Sequence, residues 1–281
     1  MKIIVGFLLL IVLTGECKAQ YYYKDLVATR ENTVQWQLYR DNRVRAVKLN
    51  SFEADGQPTD GFLGDQDVAA DFSRITTHSK SSGTPESWII AAYSPHGQTL
   101  SITDTSDTYR SISDYQYDAA GRLLSITNTS TETDNQLKDV EAHIWQYEDG
   151  TSDKPSGMLK IKNGRDTTFV RFIKDDKGNI AEERSVRNKN DLPTIYYYYD
   201  ADHRLTDIVR YSVKARRLLP DNIFEYGEGG RVSSLLAVQE GASSYQKWLY
   251  AYNEKGLKTK ESCYSKQRDL LGRIEYQYTY K

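Results

Sequence analysis

The sequence predicts an all-β fold, an antiparallel meander of repeated β-hairpins in one curled sheet, with a short helix at its N-terminal end. Three observations predict it. First, Tyr115-Gln116-Tyr117-Asp118-Ala119-Ala120-Gly121-Arg122-Leu123-Leu124-Ser125-Ile126 reads as a single hairpin. Tyr-x-Tyr places two rings on one side of a strand because side chains alternate. Asp118 can bond its own backbone further on, and Gly121 can take the positive φ that closes a type I turn with a bulge. Second, versions of this unit recur with turn residues roughly every 24–29 positions from Gly97 onward, a period of about two strands per unit. Third, 22 tyrosines in 281 residues point to aromatic rather than aliphatic packing.

The first element is not part of the repeat. Lys2 precedes an apolar run from Ile3 to Leu13, and Cys17-Lys18-Ala19 supplies a small-residue exit. The run is shorter than the ~20 apolar residues of a membrane span, so residues 1–19 are expected to be a secretory signal cut after Ala19. No stable membrane span is then expected in the exported chain. Lipidation at Cys17 is the less favoured alternative, because Glu16 is large and charged where a small residue is wanted. Cys263 would be the one mature cysteine, expected as a small buried hydrophobe. Residues 20–281 are expected to form a single domain, with 20–42 as an N-terminal cap segment.

From Tyr21 to Asn42, Val27, Val34 and Leu38 fall at helical intervals, with Thr29 as a cap and Asn42 as a stop. The rival is a strand, since Val34, Trp36 and Leu38 also alternate. The helix is preferred, placed across the open end of the sheet as an atypical end unit. Strands are then expected at Arg43 to Phe52, Phe72 to Ser79 and Ser87 to Tyr93, with a polar loop around Asp60 to Asp67. Tyr93 to Ile102 matches the opening unit without a gap at Tyr93, Gly97, Leu100, Ser101 and Ile102. Further copies begin at Trp145, Phe172, Tyr197, Phe224 and Tyr250, and a last strand covers Arg273 to Tyr280. His203 stands where glycine is expected, and histidine is among the residues enriched at left-handed positions. Asn163-Gly164 predicts a two-residue hairpin turn. In the register expected for the opening unit, Asp118 lies opposite Arg122 and Tyr117 opposite Leu123. Tyr115, Tyr117 and Leu123 then share one face, while Leu124 and Ile126 point the other way.

These residues resemble the Tyr-Asp (YD) repeats of the rearrangement-hotspot and teneurin type, whose shared signature is Tyr-x-Tyr-Asp-x-x-Gly-Arg-Leu. The resemblance covers most of the chain from about Val44 and is strongest at Tyr115 to Ile126, Tyr197 to Leu205 and Phe224 to Val232. It implies a long β-sheet that spirals into a hollow shell, in toxin members around a C-terminal toxic domain released by self-cleavage. This chain is far shorter than such a shell and lacks the Asp-Pro-x-Gly-Leu boundary motif. Payload and self-cleavage are therefore not expected, and the nearer resemblance is to short exported YD-repeat proteins of bacterial envelopes.

Little in the sequence points to catalysis. His78, His96, His143 and His203 are scattered, and no HExxH or paired-cysteine spacing occurs. The turns at Asp175-Asp176 and Asp200-Ala201-Asp202 lack the spacing of a calcium loop. No cofactor or metal is expected. A formal charge of -2 argues against a nucleic-acid partner, and the basic cluster Lys214-Ala215-Arg216-Arg217 reads as a solvated turn. The tyrosines remain: Tyr115, Tyr117, Tyr199, Tyr226 and Tyr252 form either cross-strand packing or a face for a sugar ring or protein. The leading expectation is an exported, non-catalytic scaffold of the cell envelope, with an envelope protein or a glycan as partner. The alternatives are a carbohydrate-binding module using exposed Tyr/Trp faces and a glycan-processing enzyme with dispersed carboxylates.

Overall fold

The computed structural model of the protein describes residues 20–134, 137–148, 152–212, 215–238 and 244–281. The expected signal segment 1–19, the Asp149-Gly150 turn and Lys214 of the basic cluster lie outside the described residues.

A π-helical segment, Tyr22–Val27, runs directly into a helix α1, Ala28–Asp41. Strands follow as β1 Val44–Glu53, β2 Leu63–Val68, β3 Arg74–Lys80, β4 Ser87–Tyr93, β5 Thr99–Ser106, β6 Tyr109–Tyr117 and β7 Leu123–Glu132. Next come β8 Lys138–Gln146, β9 Gly157–Lys162, β10 Asp166–Lys174, β11 Ile180–Arg187, β12 Asn190–Asp191 and β13 Ile195–Tyr199. The set ends with β14 Leu205–Ser212, β15 Arg217–Tyr226, β16 Val232–Val238, β17 Tyr245–Tyr252, β18 Lys258–Tyr264 and β19 Leu270–Tyr280. Both β12 and β13 pair with β11. They are one stave interrupted at Pro193, which has no N–H to give to a ladder.

The meander closes on itself. β1 pairs with β2 through Val47↔Gln66 and with β19 through Leu49↔Tyr276, all antiparallel, and the Lys281 amide donates to the Arg43 carbonyl at 3.1 Å. The described residues thus form a barrel of eighteen staves, where the sequence suggested a curled sheet. A twisted sheet of this many strands leaves two unpaired edges, and closure removes both.

Closure also relocates the helix. With no open end to cover, it lies inside the barrel and touches the wall all round. Tyr22 packs edge-on to Tyr197 at 5.4 Å, Tyr23 against Phe224 at 5.4 Å, Trp36 against Tyr93 at 6.4 Å and Tyr39 against Tyr278 at 6.1 Å. The buried helical face is Thr29, Trp36 and Tyr39, whereas Val34 is 55% exposed. A wall of tyrosines and polar side chains suits amphipathic rings better than valine: Trp36 Nε1 donates to the Phe72 carbonyl at 2.7 Å and Tyr39 Oη to Gln66 Oε1 at 2.9 Å. The same Gln66 explains why β2 reads as a loop. Its inward positions are Gly64, Gln66 and Val68, too polar a series to register as a strand.

The turns follow the sequence closely. Gly121 has φ 82°, His203 takes φ 60° in the glycine position, and Asn163 and Gly164 are both left-handed. Tyr117 does face Leu123, but a bulge then places Gln116 opposite Ser125 and Tyr115 opposite Ile126. Ile126 therefore joins the tyrosine face and packs on the core, while Leu124 alone is turned outward. One extra residue after the turn flips every later side chain. The same shift recurs at Ala92/Tyr93, Tyr198/Tyr199, Glu225/Tyr226 and Ala251/Tyr252.

Candidate functional site

The repeat motif builds a latch between neighbouring hairpins. Asp118 Oδ1 accepts the amides of Ala120 and Arg122 at 3.0 and 2.8 Å, and its Oδ2 accepts Arg122 Nε at 2.7 Å. The arginine and the turn amides hold this carboxyl below its usual range. Arg122 then lies over the Tyr147 ring of the next unit at 4.7 Å, and Tyr147 Oη donates to the Leu123 carbonyl at 2.9 Å. Asp200, Arg204 and Tyr226 repeat the arrangement, with Tyr226 Oη donating to the Leu205 carbonyl at 2.7 Å. The hydroxyls of Tyr117, Tyr199, Tyr252 and Tyr278 make the same bond to Thr99, Ile180, Val232 and Lys258. Where Lys174 stands in the tyrosine position, its ammonium reaches Ser152 Oγ at 3.2 Å instead.

Tyr115, Tyr117, Tyr199, Tyr226 and Tyr252 therefore lie on the lumen side, all half-buried and the first four packed against the core. They share a face but are spread around the barrel and meet in no common pocket. Burial pushes Tyr226 and Tyr252 up to about 12, so these phenols are donors at any physiological pH. Cys263 is buried on the same face and its thiol is also pushed up to about 12 by burial, which makes it unreactive. Among the described residues there is no group of three or more His, Cys, Asp or Glu side chains placed to hold a metal ion.

Two polar clusters inside the barrel were not foreseen. Glu183, fully buried, accepts the amides of Gln20 and Tyr21 on Oε1 at 2.7 and 3.1 Å, and the amide of Tyr22 and the hydroxyl of Tyr197 on Oε2 at 3.0 and 2.8 Å. Burial raises its pKa despite these four bonds. The second cluster joins helix to wall: His143 Nδ1 lies 2.6 Å from Asp25 Oδ2, His143 Nε2 lies 3.0 Å from Glu141 Oε1, and Lys160 Nζ lies 2.8 Å from Glu141 Oε2. Burial opposes charge on His143, but the Asp25 and Glu141 carboxylates outweigh it and lift the imidazole to about 9. Burial likewise opposes charge on Glu141, yet His143 and Lys160 hold it at about 2. Nothing in the sequence singles out Glu183 or Glu141. The N-terminal segment returning through the lumen gives Glu183 three of its four partners, and gives His143, the neighbour of Glu141, its bond to Asp25.

The outer wall is uneven. Ile144, Leu159, Phe169 and Val186 are cross-strand partners in one row over β8 to β11, with Phe169 63% and Ile144 40% exposed. Across the barrel, Glu225, Lys247, Lys260 and Glu275 face outward. At one rim an open hollow of about 420 Å³ is lined by Asp175, Tyr196, Tyr198 and Asp200.

The RHS repeat family model matches residues 93–133. No curated protein matches the chain. A porin-like protein from Bacteroides uniformis ATCC 8492 aligns at TM-score 0.42 and 8% identity, over 85% of this chain and 97% of its own. A TcdB2-TccC3-Cdc42 structure aligns at TM-score 0.31 and 11% identity, over 78% of this chain and 15% of its own. The Tc holotoxin pore of Photorhabdus luminescens aligns at TM-score 0.30 and 11% identity, again over 15% of its own chain. At these scores the likenesses carry no argument about function. The chain carries an RHS repeat at residues 93–133, and the latch found there recurs in its other hairpins.

Proposed function

We propose that the protein is exported and non-catalytic, and that it serves the cell envelope as a scaffold binding a partner protein on its outer wall. The observation that carries this reading is the row Ile144–Leu159–Phe169–Val186, apolar side chains set side by side on four staves, with Ile144 and Phe169 exposed and Leu159 and Val186 half-buried. The interior offers less, because helix and latch already occupy its rings and hydroxyls. A barrel crossing a membrane needs an apolar band around its whole circumference, and the charged side at Glu225, Lys247, Lys260 and Glu275 favours a barrel in water. No described helix is long and apolar enough to cross a membrane, which says nothing of strands. Affinity capture from the native envelope tests the reading with wild type and Phe169→Asp, a substitution at an exposed site that leaves the core intact. The expected result is loss of the captured partner in the variant. Equal capture by both would contradict it.

Exposed aromatic rings favour a second reading, a glycan ligand. Trp88, stacked on His78 at 3.8 Å, and Tyr198 at the rim hollow are open to solvent. The lumenal Tyr115, Tyr117, Tyr199, Tyr226 and Tyr252 could serve a sugar only with the helix displaced. Calorimetry with envelope glycans on wild type and Tyr198→Ala separates the two readings: binding lost in the variant supports the glycan, and no heat in either protein removes it.

A further inference from the structure

Glu183 poses a physical problem that the chain as translated does not solve. A carboxylate with no exposed surface is strongly disfavoured unless a cation accompanies it. Among the described residues no Lys, Arg or His side chain pairs with it, and its four partners are three backbone amides and a phenol. The shortest of those bonds, 2.7 Å, comes from the backbone nitrogen of Gln20, itself only 4% exposed.

We propose that cleavage of the Ala19–Gln20 bond during export turns this nitrogen into an α-ammonium that stays inside the barrel as the counter-ion of Glu183. The step is a hydrolysis by an export endopeptidase that accepts a small residue before the cut. Water adds across the C–N bond, its oxygen leaves with Ala19 as a carboxylate, and the Gln20 nitrogen takes both of its protons. The proposal rests on reading residues 1–19 as a cleaved signal and is independent of what the outer wall binds.

Three further observations fit it. Gln20 has φ 72°, a left-handed value unfavourable for a non-glycine residue. That torsion is defined by the preceding carbonyl carbon, so the strain disappears once the bond is cut. The Gln20 side chain donates through Nε2 to Asp221 Oδ2 at 2.7 Å, and Asp221 is held by Arg210 at 2.7 Å. This keeps the carboxamide from turning back on its own α-amine to cyclise. Finally, the Gln20 carbonyl accepts the first helical bond, from the Lys24 amide at 2.9 Å, so the new terminus is also the start of the lumenal helix. Because Gln20 is only 4% exposed inside the closed barrel, the bond is open to an endopeptidase before closure rather than after it.

The test uses the full precursor expressed in an exporting host. Intact mass and N-terminal sequencing of the exported protein are expected to give Gln20 first, with a free α-amine. Acylation of that amine by an amine-reactive ester is expected to be slowed at least about tenfold by folding, with most of that protection lost in Glu183→Gln. If Glu183→Gln does not fold, Tyr197→Phe takes its place, since loss of the 2.8 Å bond loosens the carboxylate without removing it. A different first residue, a lipidated Cys17, a cyclised Gln20, or equal acylation rates in folded and denatured protein would each overturn the proposal. So would full protection retained in a folded Glu183→Gln.

Discussion

Asp118 shows what the motif does at the scale of single residues. One oxygen orders the turn by accepting two amides, and the other aims Arg122 at the ring of the next hairpin. The aspartate, arginine and tyrosine of the signature are thus parts of one bonded chain, and the tyrosine hydroxyl completes it on a strand carbonyl. Tyr147→Phe keeps the ring and removes only that last bond. It is expected to lower unfolding free energy by about 1 kcal/mol in urea titrations; no change would mean the hydroxyl is not part of the latch. Glycines separate two further effects. Gly121→Ala is expected to cost about 1 kcal/mol, because only the positive φ opposes it. Gly97→Ala is expected to cost clearly more in the same titration, since the added methyl would collide with the Trp36 ring as well. Equal losses would place Trp36 elsewhere.

At the scale of elements, the helix is tied to the wall by charge as well as by rings. The free His143 ring titrates near 6.5 and the folded one near 9. Its contribution is therefore complete below about pH 6.5 and disappears as pH rises through 9, amounting to roughly 3 kcal/mol at most. Glu141 behaves oppositely, contributing above its ordinary 4.5 and losing that contribution as pH falls through about 2. Stability measured by denaturant titration should fall between pH 6.5 and 9 in the wild type, and His143→Gln should flatten that slope. An unchanged slope would show that Asp25 and Glu141 do not hold the imidazole in its charged form. None of this was legible in the sequence, where Asp25 and His143 are 118 residues apart. The helix itself was legible, but its face only in part. Of the aliphatic stripe Val27, Val34 and Leu38, Val27 and Leu38 do pack against the core while Val34 is exposed, and the surrounding tyrosine wall buries Trp36 and Tyr39 more deeply.

At the scale of the whole molecule, the hairpins, their turns and the packing role of the tyrosines follow from local chemistry, because each unit carries its own turn residues and its own latch. Even the departure at His203 is legible, since a left-handed position selects few residues. Closure is a different kind of property. It depends on the total number and twist of the strands and on β1 meeting β19, residues separated by almost the whole chain, and no single unit encodes it. The bulge after each turn escaped for a related reason. It leaves the composition of the unit unchanged and shifts only its phase, which moved Ile126 from the face opposite the tyrosines to the tyrosine face. Glu183 is the clearest case, a strand residue whose role depends on a helix terminus brought back through the lumen.

The closed barrel is tested most directly by amide hydrogen exchange at the seam. Lys48 and Asn50 of β1 and Glu275 and Gln277 of β19, whose amides face each other across the seam, should exchange as slowly as the amides of β10 and β11 on the far side of the ring. Exchange at the seam as fast as that of solvent-exposed turns would mean two free edges, an open sheet, and a helix with no lumen to occupy.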